Sequence, residues 1–159
     1  MTQIREPGTT PSVLDETDKI LIRELQADGR ASYAALGRAV RLSPAATRVR
    51  VQRLLREGII EIVAVTNPLA LGFETMAMLG IEVEGDIREV ADLIDPLPEV
   101  SYVVIAAGRY DLLVEIVCAH ADDLFPFVNE RIRSLPGVRR VEIFTYLELE
   151  KETHTWGAR

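Results

Sequence analysis

The first third of the chain carries apolar residues at helical spacing in three successive stretches. Each stretch begins with a residue whose side-chain oxygen favours a helix N-terminus, namely Asp15, Ser32 and Ser43. Pro44 follows at the first helical position, where a missing N–H costs no hydrogen bond. The residues predicted to be buried are Ile20, Leu21, Leu25, Leu36, Val40, Val51 and Leu54. Three short helices, the last two joined by a turn of about three residues, form a helix-turn-helix pattern.

The rest of the chain alternates apolar, β-branched runs with short helical patterns. Strands are predicted over 59–65, 76–83, 100–107, 112–118 and 138–149, and helices over 86–95 and 121–134. From residue 76 onward the predicted order is β-α-β-β-α-β. The stretch 90–105 also aligns with 128–143 at an offset of 38, so that Val90 coincides with Val128. This internal repeat favours a ferredoxin-like sheet with two helices on one face.

The predicted strands are apolar on both faces. Tyr102 and Val104 alternate with Val103 and Ile105, and the strand over 112–118 shows the same property. A sheet with one face in water would alternate polar with apolar residues. We therefore expect the second face to be covered by the same face of another subunit, in a homodimer.

These patterns predict an α+β protein with two domains. A winged-type helix-turn-helix domain precedes a ferredoxin-like βαββαβ sandwich. The predicted segments are a flexible tail (1–13), the helix-turn-helix domain (14–60), a linker strand or hinge (61–75), the ferredoxin-like oligomerisation domain (76–150) and a C-terminal tail (151–159).

Charge divides the chain in the same way. Residues 1–60 hold 10 Lys and Arg against 7 Asp and Glu, a net of +3, whereas residues 61–159 hold 8 against 18, a net of −10. Seven arginines and no acid lie within 30–56. A helix in the DNA major groove brings cations to phosphates and small residues to the base edges. We therefore expect Ala45, Ala46 and Thr47 to face DNA, with Arg48 and Arg50 reaching guanine or phosphate.

Other function classes lack their characteristic residues. The two histidines, His120 and His154, have no metal-ligand spacing, and no catalytic triad or nucleotide-binding loop is present. The single cysteine, Cys118, excludes an intrachain disulfide, which fits a reducing cytoplasm. The N-terminus has no apolar signal core and no run reaches the length of a membrane helix. We expect a cytoplasmic, nucleoid-associated protein that is not an enzyme and binds neither metal nor cofactor.

Residues 14–60 resemble the N-terminal domain of the Lrp/AsnC (feast/famine) family of transcriptional regulators. The shared features are Leu-Asp-x-x-Asp at 14–18, Leu-Gln-x-Asp-Gly-Arg at 25–30 and Leu-Ser-Pro at 42–44. Arg-Val at 50–51, Arg-Leu at 53–54 and Gly-x-Ile at 58–60 complete the pattern. The resemblance implies a recognition helix that begins at Ser43. The residues expected at double-stranded DNA are Ser32, Tyr33, Ser43, Pro44, Ala45, Ala46, Thr47, Arg48, Arg50 and Arg53. Arg41 departs from the family, which often has Gly there, and a left-handed Arg41 would carry strain.

The stretch "AAGRYDLLVEI" resembles the signature of the family's amino-acid-sensing domain. The resemblance implies that Gly108, Arg109, Tyr110 and Asp111 bind a small amino-acid-like effector between dimers. Arg109 suits an α-carboxylate and Asp111 an α-ammonium. The same four residues also suit a simple hairpin turn, which needs no ligand.

Two functions remain open at this point. A regulator of this family would bind a pseudo-palindromic promoter site as a homodimer, with assembly to higher oligomers such as octamers. The alternative is an enzyme similar to the sirohaem decarboxylases, which share this architecture and use basic residues and histidines around a tetrapyrrole. The acid-free arginine stretch and the scarcity of histidines favour the regulator.

Overall fold

The computed structural model describes residues 14–150, so the tails predicted over 1–13 and 151–159 lie outside the described residues. The chain divides into two compact units, one ending at Val65 and the other beginning at Thr66. The first is a helix-turn-helix unit and the second an α+β unit with a four-stranded antiparallel sheet, so the predicted fold class is confirmed. Between residues 14 and 150, no helix is long and apolar enough to cross a membrane.

Three helices form the first unit: α1 (Glu16–Ala27), α2 (Tyr33–Val40) and α3 (Pro44–Arg56). All three predicted N-caps are confirmed. Asp15 and Asp18 form a reciprocal capping box at α1. The hydroxyl oxygens of Ser32 and Ser43 each accept a hydrogen bond of 3.2 Å from a backbone N–H three residues on. The helices enclose a small core around Leu21, Leu36, Val51 and Leu54.

The turn between α2 and α3 is tight and strained. Arg41 has φ 56° and ψ 41°, a left-handed conformation that is strained at a non-glycine residue. A Cβ on Gly37 would lie 2.6 Å from the carbonyl oxygen of Leu42 and 3.0 Å from Oγ1 of Thr47. Only a residue without a side chain at position 37 lets the two helices approach this closely.

The strand predicted over 59–65 is wrong. Residues 60–67 form neither helix nor strand, and Ile62, Val63 and Val65 are exposed. β-branched residues favour extended backbone, but a strand also needs a hydrogen-bonded neighbour. Within residues 14–150 every strand pairing lies inside the second unit, so this segment has no partner strand there.

The second unit has the predicted β-α-β-β-α-β order. Its strands are β1 (Thr75–Val83), β2 (Val100–Ile105), β3 (Leu112–Cys118) and β4 (Val138–Thr145), arranged as β2-β3-β1-β4. Helix α4 (Ile87–Ile94) connects β1 to β2, and a helical segment over 121–132 connects β3 to β4. β4 ends at Thr145 rather than near 149. Tyr146 N still donates to Met76 O, and β1 provides no residue beyond Thr75 for further pairing.

The core of this unit lies between one face of the sheet and the two helical segments. Ala77, Leu79 and Ile81 of β1 and Leu112, Val114 and Ile116 of β3 are fully buried there. Side chains of opposite parity form what we call the outer face. Its members are Met76, Met78, Gly80, Glu82, Tyr102, Val104, Leu113, Glu115, Val117, Arg140, Glu142 and Phe144. The outer face is largely apolar, as predicted, and Tyr102 and Phe144 expose 45% and 42% of their surface.

Candidate nucleic-acid interface and effector loop

Helix α3 presents distinct faces along its length. Thr47, Val51 and Leu54 are buried, at the i, i+4 and i+7 spacing of one helix face. Residues on the opposite side form what we call the outward stripe, which consists of Ala45, Arg48, Val49, Gln52 and Arg56. Val49 is 66% exposed although it is apolar. The outward stripe is therefore the side of α3 that lies away from the core of the unit.

Arg50 and Arg53 lie between these faces and point toward α1. Nη1 of Arg50 donates to Asp15 Oδ2 at 2.7 Å and to Asp18 Oδ1 at 2.9 Å, and Nη2 of Arg53 donates to Asp18 Oδ2. Asp18 is fully buried. The backbone N–H of Asp18, followed by Arg50, lowers the pKa of Asp15, and hydrogen bonds to the carboxylates of Asp15 and Asp18 raise the pKa of Arg50. Both guanidinium groups are ion-paired within the unit while their side chains stay 34% and 31% exposed, so the prediction that Arg50 and Arg53 bind DNA stays a prediction.

Thr47, which was predicted to face DNA, is buried instead. Its hydroxyl donates to the carbonyl oxygen of Ser43 at 3.0 Å, and its side chain is fully buried beside Gly37. A buried threonine cannot face a nucleic acid. The physical reason is that position 47 belongs to the same helix face as the core residues Val51 and Leu54.

The remaining predicted residues lie at the N-termini of α2 and α3. Ser32, Ser43, Pro44, Ala45 and Ala46 are exposed, whereas Tyr33 is half-buried against the core. Arg38, Arg41, Arg48 and Arg56 are exposed as well, and no carboxylate of residues 14–150 forms a salt bridge with them. Val49, which is exposed on α3, was not among the residues predicted to bind DNA. The available signal was an apolar residue outside the 47, 51 and 54 spacing.

Residues Gly108–Asp111, which we call the hairpin loop, form the second part of the connection between β2 and β3. Oδ2 of Asp111 accepts a hydrogen bond of 2.8 Å from Val83 N, and Asp111 N donates to Ile81 O at 2.9 Å. One carboxylate oxygen of Asp111 therefore joins the loop to the end of β1. The two interpretations of this motif remain compatible, because a well-formed turn still exposes Gly108 and Arg109.

Tyr110 and Arg109 converge on one carboxylate of β4. Tyr110 Oη donates to Glu142 Oε2 at 2.5 Å, and Nη2 of Arg109 lies 3.2 Å from the same oxygen. The tyrosine ring covers Gly80, where a Cβ would lie 2.8 Å from ring atoms, and it makes an edge contact with Phe144. Its hydrogen bond to Glu142 raises the pKa of Tyr110. Glu142 was not among the predicted effector residues. The sequence signal for it was an acidic residue at an outer-face position of an otherwise apolar strand.

Comparison with known families covers both units. Residues 14–55 match the AsnC-type helix-turn-helix domain. Residues 73–159 match the PF0864 C-terminal dimeric alpha+beta barrel domain. The two matches correspond to the two kinds of domain that the sequence predicted, and the second describes a dimeric domain.

Individual relatives agree with these matches. An HTH-type transcriptional regulator of Pyrococcus abyssi is 33% identical over 91% of this chain and 90% of its own length. The leucine response regulatory protein LrpA of Mycobacterium tuberculosis has a TM-score of 0.81 at 28% identity, covering 91% of this chain and 99% of that one. A transcriptional regulator of Neisseria meningitidis, solved as a complex with L-Met, has a TM-score of 0.82 at 26% identity, covering 91% and 96%.

These relatives are transcriptional regulators and not enzymes, which removes the decarboxylase alternative. The chain belongs to the Lrp/AsnC family and is an AsnC-type DNA-binding transcriptional regulator with a dimeric C-terminal domain.

Proposed function

We propose that the outward stripe of α3 is the surface that reads DNA. The observation that supports this most strongly is the arrangement of α3, in which Arg50 and Arg53 are held by Asp18 while Arg48 and Val49 remain exposed. Ala45 and Ala46 are short enough to let the backbone approach base edges. Arg48 suits a guanine or a phosphate, and the exposed Val49 suits the methyl group of thymine.

The phosphate contacts come from several exposed groups around this stripe. Arg38 and Arg41 lie in and after α2, and Arg56 lies at the end of α3. Ser43 and Pro44 open α3 and Ser32 and Tyr33 open α2, so backbone N–H groups at both helix starts are available to phosphate oxygens. The proposed DNA contacts thus differ from those predicted from the sequence. Val49, Arg38, Arg41 and Arg56 are added, and Thr47, Arg50 and Arg53 are left out.

The outer face is our candidate for the dimer interface. Its apolar residues, among them Met78, Leu113 and Phe144, lie on the sheet surface opposite the helices. Pairing of this face with its own copy would bury those residues in an isologous contact. Two reading helices related by two-fold symmetry would match a pseudo-palindromic promoter site. Further association of dimers into octamers is part of the same proposal.

The hairpin loop is our candidate for the effector site. Arg109 is 61% exposed at its side chain and is bound only by Glu142 among the ion pairs of the described residues, so an α-carboxylate could take Glu142's place. The second oxygen of Asp111 could accept from an α-ammonium. The complex of the Neisseria relative with L-Met supports an amino acid as the effector. Effector and DNA would then shift each other's affinity reciprocally.

The DNA proposal is tested by selecting binding sites from a random duplex library with the full-length protein. Arg48→Ala should bind the selected DNA at least about tenfold more weakly, as expected for loss of a charge-assisted contact. Val49→Ala should relax the preference for thymine at one position of each half-site. Arg88→Ala, an exposed arginine on α4, is the matched control and should bind normally. Equal affinity of Arg48→Ala and Arg88→Ala would refute the assignment.

The effector proposal is tested by titrating L-methionine into the protein bound to its selected DNA. Arg109→Ala should abolish any effect of L-methionine on DNA affinity while leaving the affinity without L-methionine unchanged. Asp111→Asn keeps an oxygen acceptor for Val83 N and should weaken the response without unfolding the loop. An unaltered response in both variants would remove the hairpin loop from the effector site.

A further inference from the structure

The second unit contains a cavity that the proposed function does not use. Its volume is about 520 Å³, within the range of small-molecule sites. It lies beside Cys118, where β3 ends, whereas the hairpin loop lies at the other end of that strand. Apolar side chains line much of the cavity: Phe73, Pro98, Val117, Pro126 and Phe127. The cavity is thus a separate place from the candidate effector loop.

One buried carboxylate oxygen in the cavity wall lacks a hydrogen-bond donor. Oε2 of Glu99 is buried, and no group of residues 14–150 donates to it. The backbone of Glu99 is fixed, because its carbonyl oxygen accepts a hydrogen bond of 2.8 Å from Val117 N. A buried carboxylate oxygen without a partner is costly, so a small turn of the Glu99 side chain toward a donor in the cavity would be favoured.

The charges around the cavity favour a cation. Glu99, Asp123 and Glu130 contribute three carboxylates, and Arg131 contributes one guanidinium group. The thiol of Cys118 completes the apolar wall in its neutral form, since burial, followed by Asp123 and Glu99, raises its pKa. Negative charge therefore exceeds positive charge around an otherwise apolar space.

The helical segment beside the cavity has an unusual geometry. Its last part, Phe127–Ile132, is a π-helix, and three of its residues line the cavity: Phe127, Glu130 and Arg131. π-helical turns are rare and occur frequently at functional sites. Here the π turn brings an aromatic ring, a carboxylate and a guanidinium group to the same wall.

We propose that this cavity binds a small molecule that carries a primary ammonium group on an apolar body. The ammonium group donates to the carboxylate of Glu99, and the apolar body packs against Phe73 and Phe127. An amino acid and a simple amine share this chemistry. They differ in the carboxylate, for which Arg131 is the available partner. The proposal does not depend on the hairpin loop.

Isothermal titration calorimetry on the full-length protein with three related probes tests the proposal. Leucinamide carries the amine without the carboxylate, 4-methylpentanoate carries the carboxylate without the amine, and L-leucine carries both. Leucinamide should bind and 4-methylpentanoate should not. L-Leucine that binds at least as tightly as leucinamide identifies amino acids as the ligand class, and weaker binding of L-leucine identifies simple amines.

Glu99→Gln should lower the affinity for leucinamide about tenfold, the loss expected for one charge-assisted hydrogen bond. Glu89→Gln, on the exposed side of α4, is the matched control and should bind normally. Arg109→Ala should also bind leucinamide normally, which separates this cavity from the hairpin loop. Backbone amide shifts at Val117 and Phe127 on titration would locate the ligand. Absence of leucinamide binding, or equal affinity in Glu99→Gln and the wild type, would overturn the proposal.

Discussion

Asp18 and Arg50 form an ion pair of 2.9 Å that joins α1 to α3, and Asp18 is fully buried. Arg53 binds the other oxygen of the same carboxylate. The acid-free stretch over 30–56 therefore serves two purposes. Part of its charge holds the helix-turn-helix unit together, and only the exposed part is available to a polyanion.

Removing the shared carboxylate should destabilise the first unit. Asp18→Ala leaves Arg50 and Arg53 without their buried partner and removes half of the capping box. We expect a loss of about 3 kcal/mol, at the low end for a broken buried pair because both arginines stay partly solvated. Native-state hydrogen exchange of the slowest α3 amides measures this loss. Glu16→Gln, an exposed change on α1, is the control. Equal protection in both variants would mean that the ion pairs do not stabilise the unit.

The strained turn predicts a stabilising substitution. Arg41→Gly should raise the stability of the first unit by about 0.5–1 kcal/mol, because glycine adopts the left-handed conformation without strain. Arg38→Gly removes another exposed arginine, from inside α2, and should lower stability by about 1 kcal/mol. Hydrogen exchange of α2 amides distinguishes the two. Destabilisation by both substitutions would show that Arg41 carries no strain.

Acid should weaken the first unit through Asp15. Its pKa is lower in the folded chain than in the unfolded chain, so its contribution is complete above the ordinary pKa of about 3.9 and is lost as the pH falls through the folded value. Thermal unfolding followed by helical circular dichroism between pH 2 and 6 measures this decline. Asp15→Asn keeps an N-cap but removes the titrating charge, and it should flatten the decline. An unchanged profile would assign the acid sensitivity to other groups.

Two phenylalanines of the second unit should differ in their effect on assembly. Phe144→Glu introduces a charge on the outer face and should convert the dimer to a monomer, because a buried unpaired charge is costly at an interface. Phe125→Glu changes an equally apolar and more exposed residue, 69% exposed on the helical segment over 121–132, and should leave the dimer intact. Sedimentation equilibrium at micromolar concentration compares them. A dimer in both variants would exclude the outer face as the interface.

Local chemistry explains which parts of the fold were predictable. Asp15, Ser32 and Ser43 are all N-caps as predicted, because a cap depends on residues within one helical turn. The strand predicted over 59–65 failed for the complementary reason. Its β-branched composition favours extended backbone, but strand formation depends on a partner that lies elsewhere.

The candidate DNA surface was only partly predictable, because the ion pairs of Arg50 and Arg53 involve distant residues. Arg50 lies 35 residues from Asp15 and 32 from Asp18, a separation at which sequence spacing alone does not reveal pairing. A signal nevertheless exists. Asp15 and Asp18 are three residues apart at the start of α1, and Arg50 and Arg53 are three residues apart in α3, so the two pairs can face each other across the helices. The burial of Thr47 was also indicated by its helical spacing from Val51.

The central claim is that the exposed arginines of α3 meet DNA phosphate or guanine, and the salt dependence of DNA affinity tests it most directly. Contacts to about six phosphates predict a slope of log affinity against log salt near −5. Arg48→Ala should reduce the magnitude of that slope by about 1 for each protomer bound if Arg48 neutralises a phosphate, while Arg88→Ala should leave it unchanged. A DNA affinity that does not vary with salt, or variants of Arg48 and Arg88 that both bind like the wild type, would contradict the account.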